Sequence, residues 1–569
     1  MKGHGKNMGN GPMLNAYPDS LGGRLSDIVS FLEKPEVQGA FDTFYILPSL
    51  FHSDLDRGFS VIDYGINREL ADRSDLENIK NLGIGLKLDF VLNHISARSK
   101  QFQDILEKGR ESKYWDFFID WNRFWNGNGK MMPEGYIQPN PDMIKNMFFR
   151  KSGLPFLMVR LADGTKAPFW NTFYQEVQYK RPDAWDYMQH MDIQYSEAEK
   201  LEELVNSELD AGKKPAEIPL GEFENYKNQV LKLLEEGERY LGQMDLNLKS
   251  PMVWEYYAKT LKTLAEYGAE IVRLDAFAYA AKEPGAKNFL NEPETWDILN
   301  KIQKMAEQYH LNLLPEIHAT YQEKVYEVLA DKGYMIYDFF LPGLVIDALE
   351  IRNGEKLVQW AEELYKKEIR AVNMLGCHDG IPLLDLKGLL PEERIEQLTK
   401  VIVERGGMIK NLHGQKQMYY QLNATYYSAL GEDDLKMVLA RAIQIFMPGK
   451  PQVWYLDLMA GRNDYEAVKR AGEGGHKEIN RTNLTVEEME RGMERTVVKQ
   501  QLELLHFRNT FPAFSFDARF RTEQKEEFTE FRWEKDGSTA ILRVDFRTLH
   551  FHVIGMNERG DRVFYLESC

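Results

Sequence analysis

Short apolar segments recur along the chain, separated by longer stretches in which apolar residues return every three or four positions. TFYILP (43–48), GLKLDFVLNH (85–94), AEIVRLDAF (269–277), LNLLPEIH (311–318), YMIYDFFLP (334–342) and AVNMLGCHD (371–379) have the length and residue types of buried strands. The stretches between them read as amphipathic helices. Strand alternating with helix over such a length predicts an α/β fold with a parallel sheet wrapped by helices, and the (β/α)8 TIM barrel is its closed form.

Two stretches break the rhythm. Residues 95–250 are too long for one strand-to-helix connection and predict an inserted lobe over the barrel mouth. Within it EAEKLEELVNSELD (197–210) and ENYKNQVLKLLEEGERYL (224–241) carry helical spacing and high charge. From about residue 513 the polarity alternates around a turn at Asp536-Gly537, the mark of a small antiparallel β domain. The expected division is a barrel from 1–94 and 251–512, a lobe at 95–250 with an extra helical insertion at about 175–242, and a C-terminal β domain at 513–569.

Composition narrows the function. Hydrophobic residues make up 43% and charged residues 28% of the 569 positions, ordinary for a folded globular protein. A net charge of −17 argues against nucleic acid or an anionic membrane as partner, because a polyanion is repelled over most of the surface. With two cysteines, Cys377 and Cys569, neither a disulfide framework nor a thiolate zinc site is expected. The first residues, MKGHGKNMGNGPMLN, lack a signal-peptide core, and no window approaches the ~18 apolar residues of a membrane span, so a cytoplasmic location is expected. Neither a Gly-rich dinucleotide fingerprint nor a phosphate-binding loop is present.

The chemistry gathers at the strand ends. Asp89, Asn93 and His94, then Arg273 and Asp275, then Glu316 and His318, then His378 and Asp379 all fall where a barrel places reactive groups. Arg273 and Asp275 are two apart, so they share one face of a strand. Alone, such a pair reads as a structural salt bridge, and His94 or His318 as an ordinary hydrogen-bonded histidine. Three carboxylates at three strand ends suggest more. Retaining cleavage of a glycosidic bond takes one carboxylate as nucleophile and a second, protonated, as acid. Arg273 is expected to keep Asp275 ionised, and the apolar run LLPEI to raise the pKa of Glu316. A metal site of His94, His318 and His378 has no supporting spacing, and no metal or cofactor is expected.

In this order, DFVLNH (89–94), VRLDAFAY (272–279), LPEIH (314–318), YDFFLP (337–342) and CHDGI (377–381) resemble the strand-end motifs of the α-amylase superfamily, and more closely its sucrose phosphorylase subfamily. YPDSLGG (17–23), YQLNATYYSAL (420–430), PGKPQVWYL (448–456), AGRND (460–464) and EINR (478–481) extend the likeness from about residue 12 onward.

The resemblance implies that Asp275 is the nucleophile, Glu316 the acid/base and Asp379 the carboxylate that stabilises the transition state. It places His94, Arg273, His378, Asp56 and Gln243 in the substrate site, and Tyr420 and Gln421 on a loop that alternates between leaving-group and phosphate recognition. Arg150 and Lys151, by composition a solvated doublet, match a basic pair facing the acceptor, where phosphate needs charge-assisted donors.

Some positions depart. Lys477 stands where an arginine usually pairs with the acid at position 56, and Met418 where sucrose phosphorylases carry an aspartate. The missing aspartate favours a phosphorylated substrate, while Tyr420 replaces the histidine of relatives acting on sucrose 6'-phosphate. The expected activity is phosphorolysis of sucrose 6'-phosphate or sucrose, with inorganic phosphate as co-substrate, by a monomer or homodimer. The alternatives are an α-glucosidase-type hydrolase and a phosphorylase of glucosylglycerol or glucosylglycerate.

Overall fold

Eight parallel strands form the central sheet of the computed structural model, which describes residues 9–150, 153–411, 413–414, 419–472 and 475–568. They are β1 (Met13–Ala16), β2 (Thr43–Ile46), β3 (Gly85–Val91), β4 (Ala269–Asp275), β5 (Asn312–Pro315), β6 (Ile336–Asp338), β7 (Ala371–Met374) and β8 (Lys450–Trp454). Their ladders run β5-β4-β3-β2-β1-β8-β7-β6, and β5 lies beside β6, so the sheet curls into a barrel. The alternating pattern predicts this fold, and six of the strands lie inside the six apolar segments. The other two do not stand out: MLNA is short, and KPQVW carries Pro451, which donates nothing to a ladder and argues against a central strand.

Alternation along the strands decides what enters the barrel. Register sets Arg273 of β4 opposite Asp89 of β3, while Leu88, Phe90, Val272 and Leu274 are buried on the other face. Two residues before Asp89, Lys87 crosses the interior. Its Nζ donates to Tyr337 Oη on β6 (2.5 Å) and Gln452 Oε1 on β8 (2.7 Å) and lies 3.9 Å over the Tyr45 ring. Burial pushes this amine well below the usual lysine range. Tyr45 of β2 in turn donates to Asp89 Oδ2 at 2.9 Å. A polar network therefore floors the barrel beneath the catalytic end.

Between β3 and β4 the chain leaves the barrel. Strand His94–Ser96 pairs with Glu238–Asp245, which pairs on its far stretch with Gln175–Tyr179. The long insertion thus stands on a β ribbon. This corrects the expectation of a helix through residue 241: helix Lys227–Glu236 stops at Gly237, and ERYL is captured by the ladder to Gln175–Tyr179. Helices Ala184–His190, Tyr195–Asp210 and Lys227–Glu236 bury Tyr187, Leu201, Val205, Val230 and Leu234 in a core of their own. Trp121, Trp125 and Trp170 form another beside the mouth.

After the barrel, Arg519–Gln524, Thr529–Lys535, Ser538–Asp545, His550–Met556 and Arg562–Glu567 make a sequential antiparallel sheet. Asp536 and Gly537 take the left-handed φ values of 48° and 79° that a tight two-residue hairpin requires. Among the described residues no helix is long and apolar enough to cross a membrane.

Candidate active site

Asp275 ends β4, Glu316 follows β5 directly and Asp379 lies in the loop after β7, so the three carboxylates converge at one end of the barrel. Arg273 ties the first two of them to Asp89. Its Nη1 lies 2.8 Å from Asp275 Oδ1 and 2.5 Å from Asp89 Oδ1, and its Nη2 lies 2.7 Å from Glu316 Oε1. One guanidinium therefore spans Asp275 and Glu316. That fits the short separation of roughly 5–5.5 Å found in retaining glycosidases.

Three carboxylates on one buried cation leave surplus negative charge. Burial, together with Glu316, Asp89 and Asp379, raises Asp275 well above the usual carboxylate range despite Arg273. For Glu316 burial also acts upward, but Arg273 and His318 outweigh it and hold the carboxyl below its ordinary value. Both directions reverse the sequence expectation. An apolar neighbourhood in sequence does not reveal a guanidinium and an imidazole arriving from other residues.

His318 is the second cation. Its Nδ1 lies 2.9 Å from Asp385 Oδ2, its Nε2 faces Glu316 Oε1 at 3.6 Å, and its ring stacks on Phe339 at 3.8 Å. Burial acts downward, yet Asp385 and Glu316 raise His318 to about 9. Its folded pKa lies above the unfolded value of ~6.5, so the pair's contribution to stability is full below that value and lost as pH rises through about 9. The gap in thermal midpoint between the wild type and His318→Gln is accordingly expected to narrow from pH 6 to pH 10. Parallel pH profiles would refute the charged pair.

Around Asp379 the site is cationic. Lys477 Nζ is 2.5 Å from Asp379 Oδ1, His378 Nε2 is 3.2 Å from Oδ2, and Arg481 Nη2 lies at 3.8 Å. Burial opposes ionisation, but His378, Lys477 and Arg481 hold Asp379 well below the usual carboxylate range. Arg481 Nη1 reaches Asp56 Oδ1 at 3.4 Å, and Arg481 Nε donates to the His378 carbonyl at 2.9 Å. Lys477 is expected from the sequence to pair with Asp56; its hydrogen bond goes to Asp379 while Asp56 acts on it as a second negative charge, and the arginine of EINR reaches Asp56. Gly380 follows Asp379 at φ 101°, where a Cβ would sit 2.3 Å from the Leu422 carbonyl.

Asp56 and Arg57 both hold positive φ, 49° and 47°. Such backbone persists only when its surroundings fix it. Arg57 donates to the Arg481 carbonyl at 2.5 Å and to Asn483 at 2.7 Å, and two side chains grip the Phe59 carbonyl: His94 Nε2 at 2.9 Å and Gln243 Nε2 at 3.1 Å. Phe59 stacks on His378 with ring centroids 4.9 Å apart. Burial lowers His94 to about 4, so it is neutral. Gln243 also accepts from the Tyr174 backbone at 3.0 Å, which gives it a loop-holding geometry.

Beneath this turn lies a buried ion pair. Lys282 Nζ sits 2.6 Å from Asp245 Oδ2, 2.7 Å from Asn93 Oδ1 and 2.7 Å from the Tyr279 carbonyl. Asp245 also accepts from Asn93 Nδ2 and from the Thr172 amide, both at 2.8 Å. Lys282, Asp385 and Arg481 are absent from the site residues read in the sequence; Arg481 alone carried a signal, as the last residue of EINR.

Arg150 sits at the rim, with Nε donating to Tyr279 Oη at 2.9 Å and the guanidinium 5.5 Å over Phe173, whose ring lies 5.1 Å from His94. Strand Phe148–Phe149 pairs with His413–Gly414, which brings this segment against the one bearing Tyr419–Asn423. Tyr420 and Gln421 belong to that strand by backbone, but their side chains, with Lys151 and Met418, lie outside the described residues.

Carboxylates at three strand ends, an arginine spanning two of them and a cationic nest about the third make this a glycoside-cleaving barrel. No protein-family model matches the chain. It is 47% identical over 552 residues, 95% of both chains, to the sucrose 6(F)-phosphate phosphorylase of Ilumatobacter coccineus (strain NBRC 103263 / KCTC 29153 / YM16-304). It is 33% identical over 563 residues, 97% of this chain and 98% of the other, to that of Thermoanaerobacterium thermosaccharolyticum. The crystal structure of sucrose 6F-phosphate phosphorylase from Thermoanaerobacter thermosaccharolyticum superposes with a TM-score of 0.80 at 32% identity, covering all of both chains. The chain belongs to the family of sucrose and sucrose 6(F)-phosphate phosphorylases.

Proposed function

We propose that the protein cleaves sucrose 6'-phosphate with inorganic phosphate, releasing fructose 6-phosphate and α-D-glucose 1-phosphate with retention at C1. The observation behind this reading is Arg273, whose one guanidinium bonds both Asp275 and Glu316. In the first step an Asp275 oxygen forms a bond to C1, the bond from C1 to the bridging oxygen breaks, and the Glu316 proton passes to that oxygen. In the second a phosphate oxygen bonds C1 from the opposite face, and the ester electrons return to Asp275. The proton on the attacking oxygen passes to Glu316, which restores the acid.

Burial and the neighbouring carboxylates push Asp275 upward, while Arg273 and His318 push Glu316 downward. A bound sugar acts on both groups in the other direction. A bridging oxygen accepting a hydrogen bond from Glu316 favours its protonated form, and developing positive charge at C1 favours ionised Asp275. Ionised Asp379 accepts hydrogen bonds from sugar hydroxyls, while Asp56 and Arg481 close the far end. No step calls for a cofactor, and the cytoplasm, where phosphorylated sugars and phosphate are at hand, is the compartment that suits the reaction.

The 47% identity to a sucrose 6(F)-phosphate phosphorylase supports the phosphorylated substrate, as does the missing loop aspartate at Met418. Tyr420, in place of a histidine, favours sucrose as the second reading. The test compares release of glucose 1-phosphate from both sugars with and without phosphate. Product that requires phosphate and comes mainly from sucrose 6'-phosphate is expected. Free glucose formed at a rate indifferent to phosphate would replace this reading with a hydrolase.

A further inference from the structure

We propose that Asp385 is a positioning residue that, through His318, supplies the counter-charge which lets a phosphate anion rather than water intercept the glucosyl-enzyme. The proposal rests on the phosphorylase reading above. Its starting point is a charge that the first step creates. When the leaving group departs with the Glu316 proton, Glu316 becomes a carboxylate beside the place the acceptor must enter. Asp275 is then a neutral ester, Arg273 is shared between Asp89 and Glu316 and so offsets only part of the charge, and Asp379 is matched by Lys477 and Arg481. Glu316 is the negative charge that faces the incoming phosphate. Like charges at such range repel strongly where water is scarce, and a neutral water molecule feels no such barrier.

The geometry offsets that barrier. Asp385 lies in the turn Leu384–Leu386, six residues beyond Asp379, and its carboxylate takes the Nδ1 side of His318 at 2.9 Å. This fixes which edge of the ring faces the site, and Nε2 is left 3.6 Å from Glu316. Phe339, stacked at 3.8 Å and 22°, holds the ring plane. Both Asp385 and His318 are nearly buried, with side-chain exposures of 9% and 13%, so the interaction is little screened. The upward shift of His318 agrees with a cation at neutral pH.

As phosphate attacks, its oxygen forms the bond to C1, the C1–O bond to Asp275 breaks with its electrons returning to the carboxylate, and the proton on the attacking oxygen moves to Glu316. His318 gains and loses nothing. It lowers the repulsion that precedes this step.

Glucose 1-phosphate and free glucose both arise from the same glucosyl-enzyme, so their ratio at fixed phosphate is independent of how fast that intermediate forms. Asp385→Asn is expected to lower the ratio about tenfold. His318→Gln, which also leaves Asp385 unmatched, should lower it further, and Asp385→Glu should restore most of it. Total turnover that falls with the ratio unchanged in both Asp385→Asn and His318→Gln would overturn the proposal and leave Asp385 a purely structural role. If Asp385→Asn does not fold, the ratio in His318→Gln decides alone. A wild type that makes free glucose regardless of phosphate would instead sink the phosphorylase reading beneath it.

Discussion

Asp275→Asn is expected to lower glucose 1-phosphate release by roughly 10⁴–10⁶-fold, the range seen when a covalent nucleophile is removed, while the protein stays folded. The amide keeps the size of the carboxylate and an oxygen able to accept from Arg273 Nη1, now at 2.8 Å. It cannot form the ester. The stability should move the other way. Burial and the neighbouring carboxylates already raise Asp275, so the folded protein resists its ionisation, and a neutral side chain relieves that cost. Product release and the thermal midpoint, measured on the same preparation, check both halves. Activity within tenfold of wild type would remove Asp275 from the mechanism, and a collapsed midpoint would mean that the carboxylate is structural.

Legibility in the sequence followed distance along the chain. Arg273 and Asp275 are two apart on one strand, so their shared face was readable from period alone, and the 2.8 Å contact bears that out. The barrel was readable because each strand had to bury an apolar face between two layers. What could not be read were partners that the fold delivers from afar. Glu316 looks isolated in LLPEI, yet Arg273 reaches it from β4 and His318 lies within reach under the control of Asp385, 67 residues further on. Its acidity was therefore misjudged in direction. The motif placed Lys477 near Asp56, and Asp56 does act on it, but a position in sequence does not say which of two carboxylates brought from far along the chain takes the ammonium's hydrogen bond. The ERYL strand was missed because its captor, Gln175–Tyr179, lies some sixty residues earlier across the insertion. The roles carried over from the family to Tyr420, Gln421 and Lys151 rest on sequence alone.

Lys282 offers the sharpest test of how the lobe is held over the barrel. Its ammonium is 2% exposed, and Asp245 at 2.6 Å is fully buried. Removing one member of a buried pair leaves the other charged without compensation, at a cost of about 3–5 kcal/mol. Lys282→Met is placed at the lower end, ~3 kcal/mol, because Asp245 keeps hydrogen bonds from Asn93 and from the amide and hydroxyl of Thr172. Activity should fall as well. Asp245 is the strand partner of His94, Asn93 precedes it, and His94 holds the Phe59 carbonyl beside His378. Slack at the ion pair therefore reaches the turn that closes the sugar site. Combining Lys282→Met with Asp245→Asn should recover part of the lost stability, since no buried charge is then left alone. Thermal midpoints of the two single variants and the double variant close the cycle. Strictly additive losses would mean that the two side chains do not act as a pair, and the lobe would then be held by its apolar contacts.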